Sequence, residues 1–96
     1  MRKIYLVVYD ITNQKRWSKI YKIMRGYGDH AQLSVFICNL SDKEYLMMTH
    51  DIDSIINHSD DKVMIADLGP AHSRGQNSIT FFGKPYIFPE RCAIIA

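Results

Sequence analysis

The first carboxylate of the chain, Asp10, stands at the end of Ile4-Tyr5-Leu6-Val7-Val8-Tyr9, an aliphatic and aromatic run without a polar break. An ionised carboxylate beside so apolar a run must be solvated, accept hydrogen bonds from nearby N–H groups, or coordinate a cation, because burying it alone is costly. Two readings follow. Asp10 accepts from the turn that Thr12 and Asn13 begin, or it is a hard oxygen ligand for a divalent metal. Directly after it, from Ile11 to Gly28, come Lys15, Arg16, Lys19, Lys22 and Arg25, with no acidic residue among them. A solvated helix face often carries lysines without further meaning, but it usually mixes signs. An acid-free basic stretch points instead to a phosphate-rich partner.

The elements that must position these groups can be read from spacing. The apolar run before Asp10 has the pattern of a strand buried on both faces. Trp17, Ile20, Tyr21, Met24 and Tyr27 then recur at offsets of three and four, which predicts a helix with one apolar stripe. At about 100° per residue, Lys15, Lys19 and Lys22 fall within an arc of about 60° opposite that stripe, with Arg16 and Arg25 on its flanks. Gly26-Tyr27-Gly28 stops the helix, and Asp29 to Leu40 reads as extended, one stretch whose division into two strands near Gln32 to Ser34 the sequence leaves open. Ser41 with Glu44 three residues on is a capping box, opening a second helix that buries Tyr45, Met48, Ile52, Ile55 and Ile56. After a turn at 57–61, Val63 to Leu68 is the next strand. A polar, mobile loop is expected from Ala71 to Asn77, a further strand from Ser78 to Phe82, and extended chain at Tyr86-Ile87-Phe88.

Size and charge bound the answer. The 96 residues have room for one domain with a modest core. No apolar run approaches the roughly 18 residues of a membrane span, and Arg2-Lys3 leads straight into a strand, so a cytoplasmic protein is expected. Cys38 and Cys92 read as small buried hydrophobes, and the four histidines have no zinc spacing. The net charge of +2 says little, but its distribution does: Asp42, Glu44, Asp51, Asp53, Asp60 and Asp61 oppose a single Lys43 between Ser41 and Asp61. The molecule is therefore electrostatically two-sided.

Strands alternating with two amphipathic helices give an α+β or α/β sandwich, one sheet with both helices on one face. Along the first strand Ile4, Leu6 and Val8 point one way, Tyr5, Val7 and Tyr9 the other, and both sets are apolar. So short a chain has too little left to cover the second face, which implies a two-fold homodimer. Alternation puts Asp10 with Ile4, Leu6 and Val8. Across a two-fold axis on that face two Asp10 carboxylates would meet, and two carboxylates with waters make a credible magnesium site where one does not. The closing run Cys92-Ala93-Ile94-Ile95-Ala96 must also dock on its own sheet or a neighbour's edge.

Tyr9-Asp10-Ile11, the basic helix, Gln32-Leu33-Ser34-Val35-Phe36 followed by Cys38-Asn39-Leu40, and the capped second helix, in that order, resemble the small CRISPR-associated spacer-acquisition family, described in many members as a metal-dependent endoribonuclease. The resemblance runs from about residue 3 to 68. It implies an α+β ferredoxin-like sandwich over residues 1–96, an antiparallel sheet with two helices on one face, with residues 86–96 as a C-terminal extension or strand docking at a homodimer. It also implies Mg2+ or Mn2+ held by Asp10 at the two-fold, with Tyr9 as its catalytic neighbour. Lys15 and Arg16 would then be nearest the phosphates, Lys19, Lys22 and Arg25 would extend the nucleic-acid surface, and Ser34 and Phe36 would be structural residues near the site. The implied partners are a CRISPR integrase subunit and double-stranded DNA, with single-stranded RNA as the other substrate. Two alternatives keep the fold and change the function: a non-catalytic scaffold, and a stand-alone toxin-like ribonuclease. The chain departs from the family pattern at His30, where an arginine is typical, and at Ile37, often glutamate.

Overall fold

Alternation along the first strand sets up the architecture, because its odd and even residues serve two different layers. The computed structural model describes residues 1–84. In chain order they form β1 (Lys3–Asp10), α1 (Gln14–Tyr27), β2 (Asp29–Gln32), β3 (Val35–Leu40), α2 (Asp42–Ile55), β4 (Lys62–Pro70) and a short α3 (Arg74–Asn77). The strands make one sheet in the order β2-β3-β1-β4, and every neighbouring pair is antiparallel. This is the ferredoxin-like α+β sandwich. The expected strand at residues 86–96, and Cys92 with it, lie outside the described residues.

Tyr5, Val7 and Tyr9 of β1 join Phe36, Cys38 and Leu40 of β3 beneath Ile20, Met24 and Tyr27 of α1 and Met48 and Ile52 of α2. Both helices therefore bury their stripes on the same side of the sheet, as the spacing predicts. Local chemistry fixes where each begins. The Asn13 side chain accepts from the Arg16 backbone N–H at 3.0 Å to start α1. At α2, Ser41 N donates to Glu44 Oε1 at 2.8 Å while Glu44 N donates to Ser41 Oγ at 3.2 Å, closing the capping box. A cap of this kind is worth about 1 kcal/mol. At the other end of α1, Gly28 is needed for close approach: a Cβ there would meet Cys38 Sγ at 2.5 Å and Ile37 O at 2.6 Å. That contact seals Cys38, whose thiol burial pushes up to about 12.

The structure settles one point that the sequence leaves open and departs from the sequence reading in two others. The stretch 29–40 is two strands, β2 and β3, turning at Leu33, whose φ of +31° is unusual for a branched apolar residue. Residues 74–77 form a helix where a mobile loop was expected, seated on the sheet with Gly75 buried. Residues 78–82 are not a strand. Instead Ile79 and Phe81 fold over the second face of the sheet and pack with Ile4, Ile37 and Ala71. Among the described residues the second face is thus covered at the Ile4 end and open at the other, where Leu6, Val8, Met64 and Ala66 line a shallow apolar depression and Met64 is 60% exposed.

Candidate nucleic-acid and metal interface

One end of the sheet gathers the residues of interest, because β1 and β2 end there, β3 and β4 start there, and α1 begins there. Asp10 closes β1 with its side chain exposed, directly across from Lys62 of β4. Tyr9 belongs to the helix-side core, so its neighbour Asp10 faces the open side with Leu6 and Val8. The expectation for Asp10 is thereby located at the rim of the uncovered apolar face.

Tyr9 is placed differently from the expectation that pairs it with Asp10. It is 3% exposed, its ring lies 6.2 Å from that of Phe36, and its hydroxyl has no hydrogen-bond partner among the described residues. Burial, then the nearby Tyr21, raises its phenol above the ordinary range. The structure does not bring that hydroxyl to Asp10, because adjacent strand residues face opposite ways.

Arg16 is likewise engaged elsewhere. Its Nε donates to Asp61 Oδ2 at 2.7 Å and its terminal nitrogen to Oδ1 at 3.2 Å, while Asn57 N donates to the same carboxylate at 2.8 Å. The Arg16 fork, followed by the Asn57 N–H, holds the Asp61 carboxyl below its ordinary value. The pair ties the loop before β4 to the first turn of α1 and offsets the cost of a cation at a helix N-terminus. Lys15 sits in the same turn without an ion-pair partner among the described residues, and Lys19 and Lys22 are exposed beyond it. Arg25 is exposed too, its guanidinium 5.9 Å from the centre of the Tyr21 ring. The basic ridge is therefore Lys15, Lys19, Lys22 and Arg25, with Arg16 turned to structure.

Ser34 and Phe36 support this end. Ser34 O accepts from Tyr9 N at 3.1 Å and Ser34 Oγ faces Trp17 Nε1 at 3.5 Å, linking the β2–β3 hairpin to β1 and α1. Phe36 is wholly buried among Tyr9, Tyr21 and His30. His30 packs its ring on Phe36 at 5.0 Å and contacts Leu33 O, while Ile37, 1% exposed, belongs to the second face. Sequence reasoning did not find Lys62 or Asp61 as neighbours of the site. Only strand register and a pairing 45 residues apart in the chain bring them there.

Asp10 offers the hard oxygen atoms that magnesium or manganese prefers. Among the described residues, however, no group of three or more histidine, cysteine, aspartate or glutamate side chains converges on a metal position. The donor type fits such an ion, and the donor number among the described residues of one chain does not.

Fold and site together define a ferredoxin-like protein with an exposed strand-terminal carboxylate beside an acid-free helix. The chain belongs to the CRISPR-associated protein Cas2 family, whose family model matches residues 2–75. A relative from Geobacter sulfurreducens, named CRISPR-associated endoribonuclease Cas2, is 47% identical over 73 residues, 76% of this chain and 77% of its own. One from Rhodospirillum rubrum with the same family name is 40% identical over 91 residues, 95% of this chain and 88% of its own. Among solved structures, Streptococcus pyogenes Cas2 superposes with a TM-score of 0.72 at 27% identity, covering 83% of this chain and 99% of that one. A Thermus thermophilus protein of undescribed function shares the fold at a TM-score of 0.77 and 21% identity, over 93% of this chain and all of that one. Among the described residues no helix is long and apolar enough to cross a membrane.

Proposed function

We propose that this protein works as a homodimer in CRISPR spacer acquisition, gripping nucleic acid by its phosphates beside an integrase subunit, and that Asp10 supports metal-dependent phosphodiester cleavage. The observation that carries the reading is the exposed Asp10 carboxylate at the rim of an apolar sheet face that is open among the described residues. Packing two such faces about a two-fold axis removes Leu6, Val8 and Met64 from water and turns a lone carboxylate into a pair. That pair would hold Mg2+ or Mn2+, which when bound supplies an activated water and neutralises charge on a phosphoryl oxygen.

The chain's own residues do the rest. Lys15, Lys19, Lys22 and Arg25 contact the backbone of the substrate, which positions it without reading sequence. Arg16 and Asp61 keep the start of α1 and the start of β4 in place, and so keep Asp10 and its cross-strand neighbour Lys62 at one end of the sheet. Double-stranded DNA is the substrate for the acquisition role, and RNA is the one that the relatives' name, endoribonuclease, suggests.

A second reading, a scaffold that binds nucleic acid without cleaving it, is favoured by the engagement of Tyr9 and Arg16 away from Asp10. Neither is left to move a proton or stabilise charge there. Both readings require the basic ridge. The test is duplex-DNA affinity against salt for the wild type and for Lys15→Ala, Lys19→Ala and Lys22→Ala, singly and combined. Each phosphate-contacting lysine should lower the slope of log K against log salt by about 1. A combined variant with the wild-type slope would remove the ridge from the interface.

A further inference from the structure

We propose that Lys62 holds the phosphate that is brought to Asp10, a substrate-contacting role that rests on the cleavage reading above and names the cation which that reading lacks. Phosphodiester chemistry beside a carboxylate needs positive charge close by, because the phosphate arrives with a negative charge of its own. The cations that chain order puts next to Asp10 are placed elsewhere. Arg16 is forked onto Asp61. Lys15, Lys19, Lys22 and Arg25 ride on α1, which packs on the face of the sheet carrying Tyr5, Val7 and Tyr9, whereas Asp10 belongs to the opposite face.

Strand register supplies the missing charge. β1 and β4 run antiparallel with Leu6 opposite Ala66, Val8 opposite Met64 and Asp10 opposite Lys62. Directly opposed residues project from the same face, with Cβ atoms about 4.5–5.5 Å apart. The first two rungs line the open apolar depression, so the third sets an acid and a base together at its rim, both exposed. Neither forms an ion pair with a described residue. Asp61, the acid next to Lys62 in the chain, is taken by Arg16. Among the described strand residues on that face, Lys62 is the only lysine, arginine or histidine. Arg74 follows the other end of β4, roughly 25 Å away along the strand. A flexible stem with three donors at its tip suits a phosphate oxygen approaching Asp10 from solvent. Across a two-fold pair of such faces two Lys62 ammoniums balance two Asp10 carboxylates, so an entering phosphate does not meet uncompensated negative charge.

The experiment compares wild type, Lys62→Ala, Lys62→Arg and Asp10→Ala, with Lys43→Ala, at an exposed position of α2, as the control. Cleavage of a short single-stranded RNA and of a blunt DNA duplex with Mg2+ or Mn2+ gives kcat and KM. Anisotropy of the same probes in EDTA gives the salt dependence of binding, and light scattering gives the assembly mass. Lys62→Ala should lower kcat about 100-fold. On the probe that wild type cuts, it should also lower the slope of log K against log salt by about 0.7 for RNA or about 0.9 for the duplex. Lys62→Arg, which keeps the charge, should retain the slope and recover most of kcat, and Lys43→Ala should match wild type throughout. A Lys62→Ala variant with wild-type kcat and slope, alongside an inactive Asp10→Ala, overturns this inference alone. So does a loss of activity that comes with a fall in assembly mass, because Lys62 would then bridge copies of the chain instead of holding phosphate. A wild type that cuts neither probe, or an Asp10→Ala variant that cuts as well as wild type, removes the cleavage reading and the role of Lys62 with it.

Discussion

Replacing Phe36 separates two accounts of a residue that the family resemblance puts near the site. Phe36 is wholly buried, 6.2 Å from Tyr9, 5.8 Å from Tyr21 and 5.0 Å from His30 by ring centres, so it joins β3, β1, α1 and β2. Phe36→Ala removes a complete aromatic side chain and leaves a cavity, at a cost of about 3–5 kcal/mol. A domain of this length has a total stability of roughly 5–14 kcal/mol, so the alanine variant should lose between about a fifth and nearly all of it. Phe36→Leu retains most of the volume and should cost about 1.5 kcal/mol. Urea unfolding followed by Trp17 emission, at matched protein concentration, gives both numbers. With a slope of about 1–2 kcal/mol per molar urea, the midpoint should fall by roughly 2–4 M for alanine and about 1 M for leucine. The leucine variant, once folded, should bind duplex DNA as the wild type does. An alanine variant within about 1 kcal/mol of wild type would refute the packing account. So would a stable leucine variant that no longer binds, since Phe36 would then touch the ligand.

Other consequences concern acid stability and assembly. The Asp61 carboxyl is held below its ordinary value of 3.8, chiefly by Arg16. As pH falls the unfolded chain therefore takes up this proton first, so the stabilisation is complete above about pH 4–5 and disappears as pH drops through the lowered value. Asp61→Asn should accordingly be less stable than wild type at pH 7, and the gap in urea midpoint should narrow as pH is taken down below the ordinary value of 3.8; a gap that stays constant with pH would contradict the assignment. Met64 is 60% exposed on the open sheet face, so Met64→Asp should leave the single chain folded while shifting the light-scattering mass from twice 11.2 kDa toward 11.2 kDa; an unchanged dimer mass would move the interface elsewhere.

Most of the architecture is legible because it is written in local patterns. The stripe Ile20-Met24-Tyr27, the Ser41–Glu44 box and the alternation of β1 each specify an element without help from distant chain. The hairpin at Leu33 is legible only as an open alternative, because its turn carries no glycine, asparagine or proline and tertiary pairing of β3 with β1 decides it. Residues 78–82 have strand-like composition, but Ile79 and Phe81 are used to cover Ile4 and Ile37 instead of pairing. At the site, alternation correctly separates Asp10 from the core and also turns Tyr9 away from it. The sequence shows Arg16 as one more cation of the ridge; its commitment to Asp61 depends on the path of β4, which no local signal carries.

The most direct test of the account compares wild type with Asp10→Ala in two assays run side by side: cleavage of single-stranded RNA and duplex DNA with Mg2+ or Mn2+, and salt-dependent binding of the duplex. The variant should lose cleavage by a factor of about 100 or more while its duplex binding stays equal or becomes slightly tighter, as expected when a negative charge leaves the surface. Equal cleavage by both proteins would contradict a catalytic role for Asp10 and leave the nucleic-acid scaffold as the function of the fold.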